Sequence, residues 1–337
     1  MTRTPWRVLL ILVAGVAGSR VSAAPRPRAA PTLGWRSCLG ADGAMLGVAA
    51  STSLVAVSAG GEGLVFLDAA TGQRTATPVA ATGTFDLSFT PDGRTLWAVQ
   101  RPPGEVALAL VRFDMATGAR TLLAVTGQDT AFIAWNRDMI LTRVGSGYRV
   151  LRGADGTTVA EAPRMRETGT LVDTPDGAVV LGLLEAGRRT LSWLGGDLEE
   201  RARTSVLADG WTSLLAAPSA DEVLLAEPDG TLDAVDRTGR RRPMGRLPAG
   251  DRPFAFRRAD GSVALLTAPG VEPVGACAAV LLAAQAGEPQ SSPPLPICEG
   301  FAHASAAPDG SAIYAAVSSG GGADHCVQRF WLPAPER

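Results

Sequence analysis

Apolar residues alternate with polar ones through Phe85, Leu87 and Phe89, the chain turns at Pro91-Asp92-Gly93, and an apolar run follows at Leu96-Trp97-Ala98-Val99. Alternation of period two predicts a strand with one face in a core. Pro presets φ, Asp bonds its own backbone, and Gly accepts a positive φ, so the three residues predict a tight hairpin turn. Related turns stand at Pro175-Asp176-Gly177, Ala259-Asp260-Gly261 and Pro308-Asp309-Gly310, each before another apolar strand. Weaker copies occur at Ser51-Thr52-Ser53, Asn136-Arg137-Asp138 and Pro218-Ser219-Ala220-Asp221.

A second turn recurs in fixed order after the first. Asp114-Met115-Ala116-Thr117-Gly118 separates a predicted strand over Val106–Asp114 from one over Arg120–Val125. Asp68-Ala69-Ala70-Thr71-Gly72 does the same between Leu64–Leu67 and Arg74–Val79, and Asp236-Arg237-Thr238-Gly239 is a reduced copy. Counting Ser51, Pro91, Asn136, Pro175, Pro218, Ala259 and Pro308 as one repeat position, the steps are 40, 45, 39, 43, 41 and 49 residues. That period, with four short strands per unit, predicts an all-β, seven-bladed β-propeller of four-stranded antiparallel blades. Long helices are not predicted, because Gly (39) and Pro (24) are spread throughout.

From about Leu39 to Leu332 the chain resembles the bacterial YVTN-type propellers, relatives of the WD-repeat family. The resemblance rests on Thr90-Pro91-Asp92-Gly93 with Leu96-Trp97-Ala98-Val99, and on Ala307-Pro308-Asp309-Gly310 with Ile313-Tyr314-Ala315-Ala316. True WD repeats are disfavoured, since no Trp-Asp dipeptide occurs and the chain has two His. The blade reading leaves the last unit without its own outer strand. Leu33–Leu39 would supply it beside Val327–Leu332, closing the ring with an N-terminal strand.

Met1–Ala23 reads as a secretory signal peptide, with Arg3 and Arg7 around the apolar run Val8–Ala17 and the small residues Val21-Ser22-Ala23 before a cut. Residues 24–32 read as a disordered Pro/Arg-rich tail, and 33–337 as one propeller domain. No later apolar run is long enough to span a bilayer, so the mature protein is expected to be periplasmic or secreted, with no membrane span, and monomeric. Removing the leader leaves 28 basic residues, all Arg, against 33 acidic ones. That mildly acidic balance argues against a nucleic-acid partner.

Four Cys in an exported chain suggest two disulfides, for which three pairings exist. The blade reading selects Cys277–Cys298 within unit six and Cys38–Cys326 across the seam. No Cys-x-x-Cys or Cys/His set suggests a metal, and no cofactor is expected. The Asp-x-x-Thr-Gly turns resemble the start of the tryptophan-docking motif of quinone-dependent propellers, but the required Trp is missing both times.

Ligands of propellers usually meet the loops leading into the innermost strands. Seven residues before each first turn stand Thr84, Asp129, Thr168, Trp211, Arg252 and Phe301; five before stand Asp86, Ala131, Thr170, Ser213, Phe254 and His303. Asp129, Trp211, Arg252, Phe301 and His303 are the candidate binding residues, suited to a protein, peptide or glycan. No catalytic or metal residues are assigned. Two function classes follow: a non-enzymatic binding or scaffold protein, which is favoured, and a propeller enzyme, lactonase- or lyase-like, using polar residues at the channel mouth. Fold alone does not choose between them.

Overall fold

A computed structural model of the chain describes residues 31–332 apart from 41–44, 61, 76–78, 80, 82, 91, 102–107, 127–131, 136–138, 145–146, 153–154, 163–169, 208–211, 248–253, 258–262, 268–278, 284–289, 292–300 and 319–324. The described residues are all-β with no helix, and the sheets are arranged as a β-propeller. The signal-peptide reading and the tail up to residue 30 lie outside them. So do Cys277 and Cys298, and the turns at Asn136–Asp138 and Ala259–Gly261.

Strand β1 (Thr32–Gly40) precedes a first sheet of β2 (Met45–Ala50), β3 (Leu54–Ala59) and β4 (Gly63–Asp68). Five four-stranded meanders of consecutive strands follow. The second sheet holds β5 (Thr84–Phe89), β6 (Thr95–Gln100), β7 (Leu108–Asp114) and β8 (Arg120–Thr126), and the third β9 (Phe132–Trp135), β10 (Met139–Val144), β11 (Gly147–Arg152) and β12 (Thr158–Ala162). The fourth holds β13 (Thr170–Asp173), β14 (Gly177–Glu185), β15 (Arg188–Gly195) and β16 (Glu200–Leu207), and the fifth β17 (Ser213–Ala216), β18 (Glu222–Ala226), β19 (Thr231–Asp236) and β20 (Arg241–Arg246). The sixth holds β21 (Phe254–Arg257), β22 (Val263–Thr267), β23 (Ala279–Ala283) and β24 (Gln290–Ser291). The last is composite: β25 (Phe301–Ala306), β26 (Ala312–Ser318), β27 (His325–Trp331) and, on its outer edge, β1.

The expectation of seven four-stranded blades is therefore corrected, while the N-terminal strand on the edge of the last sheet stands as expected. Five sheets are complete blades of consecutive strands, and the other two are built differently. In the first sheet the described residues of the strand expected over Arg74–Val79 form two isolated bridges, Leu67–Arg74 and Leu64–Val79. The sequence there contains Pro78, which has no N–H for a ladder. Thr32, assigned to the tail, is the first residue of β1.

The turn chemistry explains why the strands end where they do. Thr90 donates its hydroxyl to Asp92 Oδ1 at 2.7 Å, and the Asp92 carboxylate accepts the Arg94 N–H, while Gly93 takes φ +69°. Asp309 accepts the Ser311 N–H in the same way, with Gly310 at φ +68°. Where the first sheet lacks this motif, Ser51 Oγ accepts the Leu54 N–H at 3.0 Å instead. In the second kind of turn, Asp68 Oδ1 accepts the N–H groups of Ala70 and Thr71, and Asp114 Oδ1 those of Ala116 and Thr117.

These bonds favour the ionised carboxylates and hold them below the ordinary aspartate value of 3.8. The largest influence is a hydroxyl donor at Asp68 (Thr71) and Asp236 (Thr238). It is a backbone N–H at Asp92, Asp114, Asp155, Asp197, Asp229 and Asp309. A carboxylate depressed in the folded state contributes stability that is present above its unfolded value and is lost as pH falls through its folded value. The thermal midpoint is therefore expected to drop steeply below about pH 4. A midpoint unchanged between pH 6 and pH 2 would sink this account of the turns.

Second strands are buried on both faces: Val55–Ala59 in β3 and Leu96–Gln100 in β6 are buried without a break. Neighbouring sheets cover each side, so the apolar run of these strands is continuous while β5 alternates. Trp97 is wholly buried among Val99, Leu108 and Leu110 of its own sheet and Leu151 of the next.

The composite sheet carries the clasp. Strand β1 runs antiparallel to β27 with Cys38 opposite Cys326, and the two are joined by a disulfide with Cα atoms 4.0 Å apart. That pairing matches the sequence expectation, and the separation is within the reach of a cystine. Cys326 is fully buried, whereas Cys38 is exposed on the edge strand. Trp35 Nε1 donates to the Ala69 carbonyl at 3.1 Å, and Arg329 Nη1 donates to the same carbonyl at 2.7 Å. The Arg329 guanidinium lies 3.6 Å from the centre of the Trp331 ring, a cation–π stack. Gly72 leaves room for the Trp35 ring, since a Cβ there would stand 2.6 Å from it. The last sheet is thus fastened to the first at the Asp68–Gly72 turn.

Candidate functional site

Three inner strands, β25, β2 and β5, pack side by side, and each is irregular near its beginning. Their ladders slip one residue between Phe301 and His303, between Met45 and Gly47, and between Phe85 and Leu87. Such bulges bend a strand and re-aim the side chains beside it. In β5 the extra residue is Asp86, held at φ +35°. For a non-glycine residue this posture is strained, though Asp tolerates it better than most.

A buried polar network holds the segment that presents Asp86. Thr84, fully buried, donates its hydroxyl to the Ala81 carbonyl at 2.5 Å and accepts Gln100 Nε2 at 2.7 Å. Ser58 on β3 donates to the Thr84 carbonyl at 2.7 Å. The sequence placed Thr84 at the channel mouth; the structure makes it an internal support instead. Each of these groups is satisfied, which is what allows a polar cluster in the interior.

Asp86 is exposed, yet burial is the largest influence on its carboxyl and raises its pKa, with His303 opposing. His303, half-buried, is pushed down by burial first and raised by the charge of Asp86. Strand β2 lies between the two strands that carry them. There Gly47 is buried, and a Cβ on it would make ordinary contact with Leu87 Cγ at 3.5 Å and the Asp86 nitrogen at 3.6 Å.

Of the other residues named from the sequence, Asp129, Trp211 and Arg252 lie outside the described residues, as do Ala131 and Thr168. Phe301 opens β25 opposite Val317. Thr170, Ser213 and Phe254 are the first residues of β13, β17 and β21, so the counting rule finds strand beginnings in those sheets. Asp86 stood in the same counted set as His303, but its posture had no sequence signal. Among the described residues no three His, Cys, Asp or Glu side chains group as metal ligands, and no helix is long and apolar enough to cross a membrane.

The fold defines a β-propeller compatible with a binding or scaffold role. No protein-family profile matches the chain, and no curated protein matches it significantly.

Proposed function

We propose that this chain is an exported, non-enzymatic propeller of the YVTN-like kind, a closed ring of seven blades that presents the loops at its channel mouth to a protein, peptide or glycan. Apolar packing supports the ring. One cluster joins the last sheet to the first through Val55, Val57, Tyr314 and Val327, and another joins the sixth to the last through Leu266 and Phe330. Further clusters link each remaining consecutive pair. The inner strands likewise touch in the order β2, β5, β9, β13, β17, β21, β25 and back to β2. A disulfide suits an oxidising compartment, in keeping with the leader read at Met1–Ala23.

The observation that carries the binding role is the run of three adjacent bulged inner strands, with a strained Asp86 at the mouth. Strain of this kind is retained where the surroundings impose it, and it concentrates at functional sites. The test is retention of the purified protein on peptide and glycan arrays. Replacing Trp211, Arg252 and Phe301 together with Ala is expected to weaken retention at least 10-fold, since Trp and Arg carry interface energy out of proportion to area. Undiminished retention by a variant with an unchanged thermal midpoint would move the site away from this face.

A further inference from the structure

We infer that the outer part of the fifth sheet holds a second binding site, one for a phosphate-like oxyanion, free or carried on a small polar molecule, centred on the guanidinium groups of Arg240 and Arg242. It lies at the far end of the sheet from the channel mouth and does not depend on the loop face proposed above.

An open cavity of about 380 Å³ is lined by Glu222 from the start of β18, Asp236 from the end of β19, and Arg240, Arg241, Arg242 and Pro243 at the start of β20. That volume falls within the range of small-molecule sites, roughly 300–1,000 Å³. Inner strand β17 begins at the mouth with Ser213 and ends with Ala216, so Glu222, after the next turn, stands at the opposite end. Arg240, whose carbonyl accepts the Asp236 N–H, continues the line of β20. Residues two apart on an extended chain share a face, so Arg240 and Arg242 leave the sheet on one side and Arg241 on the other. Pro243 beside them has a fixed φ, which stiffens the floor of the cavity.

The hydrogen bonds already made select the ligand. Arg242 Nη2 donates to Glu222 Oε1 at 2.8 Å, which commits that oxygen and pins the guanidinium across the sheet. Asp236 Oδ1 accepts the N–H groups of Thr238 and Arg240 and the Thr238 hydroxyl, so it is spent on its own turn. Arg241 is taken up on the other face, where Nη1 donates to Glu227 Oε1 at 3.0 Å and to Asp233 Oδ2 at 2.9 Å. Two donors of the cavity are left poorly served. Arg242 Nη1 has the Met244 thioether for an acceptor, and thioethers accept weakly. The side chain of Arg240 is exposed and makes no hydrogen bond or ion pair among the described residues. A guanidinium is a planar fork of N–H donors that matches two oxygens of a phosphate, sulfate or carboxylate. A cation entering the cavity would instead meet the uncommitted charge of Arg240. The second oxygens of Glu222 and Asp236 are positioned to accept hydroxyls from the rest of an esterified ligand.

Titration calorimetry with inorganic phosphate, glucose 6-phosphate and glucose tests this, at an ionic strength held constant with sodium chloride. Phosphate and the ester should each bind one site per chain, and glucose should not. Tighter binding of the ester would support the inference and identify an esterified ligand; equal affinities would support it and identify the free anion. Arg240→Gln should weaken both about 10- to 100-fold, the scale of one hydrogen bond to a charged group, and Arg242→Gln should do the same. The Arg240 side chain bonds nothing in the fold, so its variant should keep the wild-type thermal midpoint, which separates lost binding from lost structure. Arg246→Gln removes an equal charge at the other end of β20, where Arg246 is held by Asp229, and should bind as the wild type does. The inference is overturned if neither phosphate nor the ester binds, if glucose binds as the ester does, if Arg240→Gln binds as the wild type does, or if Arg246→Gln loses as much affinity as Arg240→Gln.

Discussion

Cys38→Ser with Cys326→Ala is expected to remove up to about 5 kcal/mol of stability, the loop-closure entropy of a cross-link that spans 288 residues. Serine suits the exposed position, whereas a hydroxyl at the fully buried Cys326 would need a partner, so alanine is used there. For a fold of roughly 300 residues this is a fall of about 8 °C in thermal midpoint. Wild-type protein under reducing conditions should fall by at least as much, because reduction would also open the Cys277–Cys298 link expected from the sequence. The β1–β27 ladder, the Trp35 and Arg329 bonds to Ala69 and the Trp331 stack remain in the variant, so the fold should persist near room temperature. A fall of under about 2 °C would mean that strand pairing alone holds the seam.

Trp97→Ala should cost about 3–5 kcal/mol, the range for emptying an aromatic site in a core. The side chain is fully buried between the second and third sheets, and Leu151 across the interface has nothing to replace it with. Its indole N–H finds no acceptor among the described residues. Trp97→Phe keeps most of the apolar volume and removes that unpartnered donor, so it should cost less than about 1.5 kcal/mol. Denaturant titration of the two variants separates packing from hydrogen bonding. Equal losses for Ala and Phe would show that the indole N–H matters and that the packing account is wrong.

The propeller was legible in the sequence because its turns are chemically explicit. Asp carboxylates that cap their own backbone, and glycines at positive φ, recur in several of the units, and the strands between them are fixed by burial. The Cys38–Cys326 link was legible for a related reason: once β1 is laid beside β27, register alone puts the two residues opposite each other. The site was much less so. Phe85-Asp86-Leu87 reads as plain alternation, and an inserted residue in the left-handed region leaves no mark when that residue is Asp rather than Gly. Thr84 looks like a loop hydroxyl, and its burial comes from Ser58 and Gln100, which are distant in sequence. Counting back from a turn finds the start of a strand, but it does not distinguish a residue that faces the opening from one that props it.

Strand β1 leaves the ribosome first among the strands and β27 last. At ordinary translation speeds the interval between them is roughly 15–60 s, throughout which β1 has no neighbour and the first sheet has nothing on its far side. A premature stop a dozen codons before the end of β27 would therefore orphan two strands from opposite ends of the message. Such a product would display the unpaired edge of β26 and the free strand β1 together, a combination prone to pair with other chains. Nonsense lesions late in the coding sequence should thus be as damaging to yield as lesions in its middle.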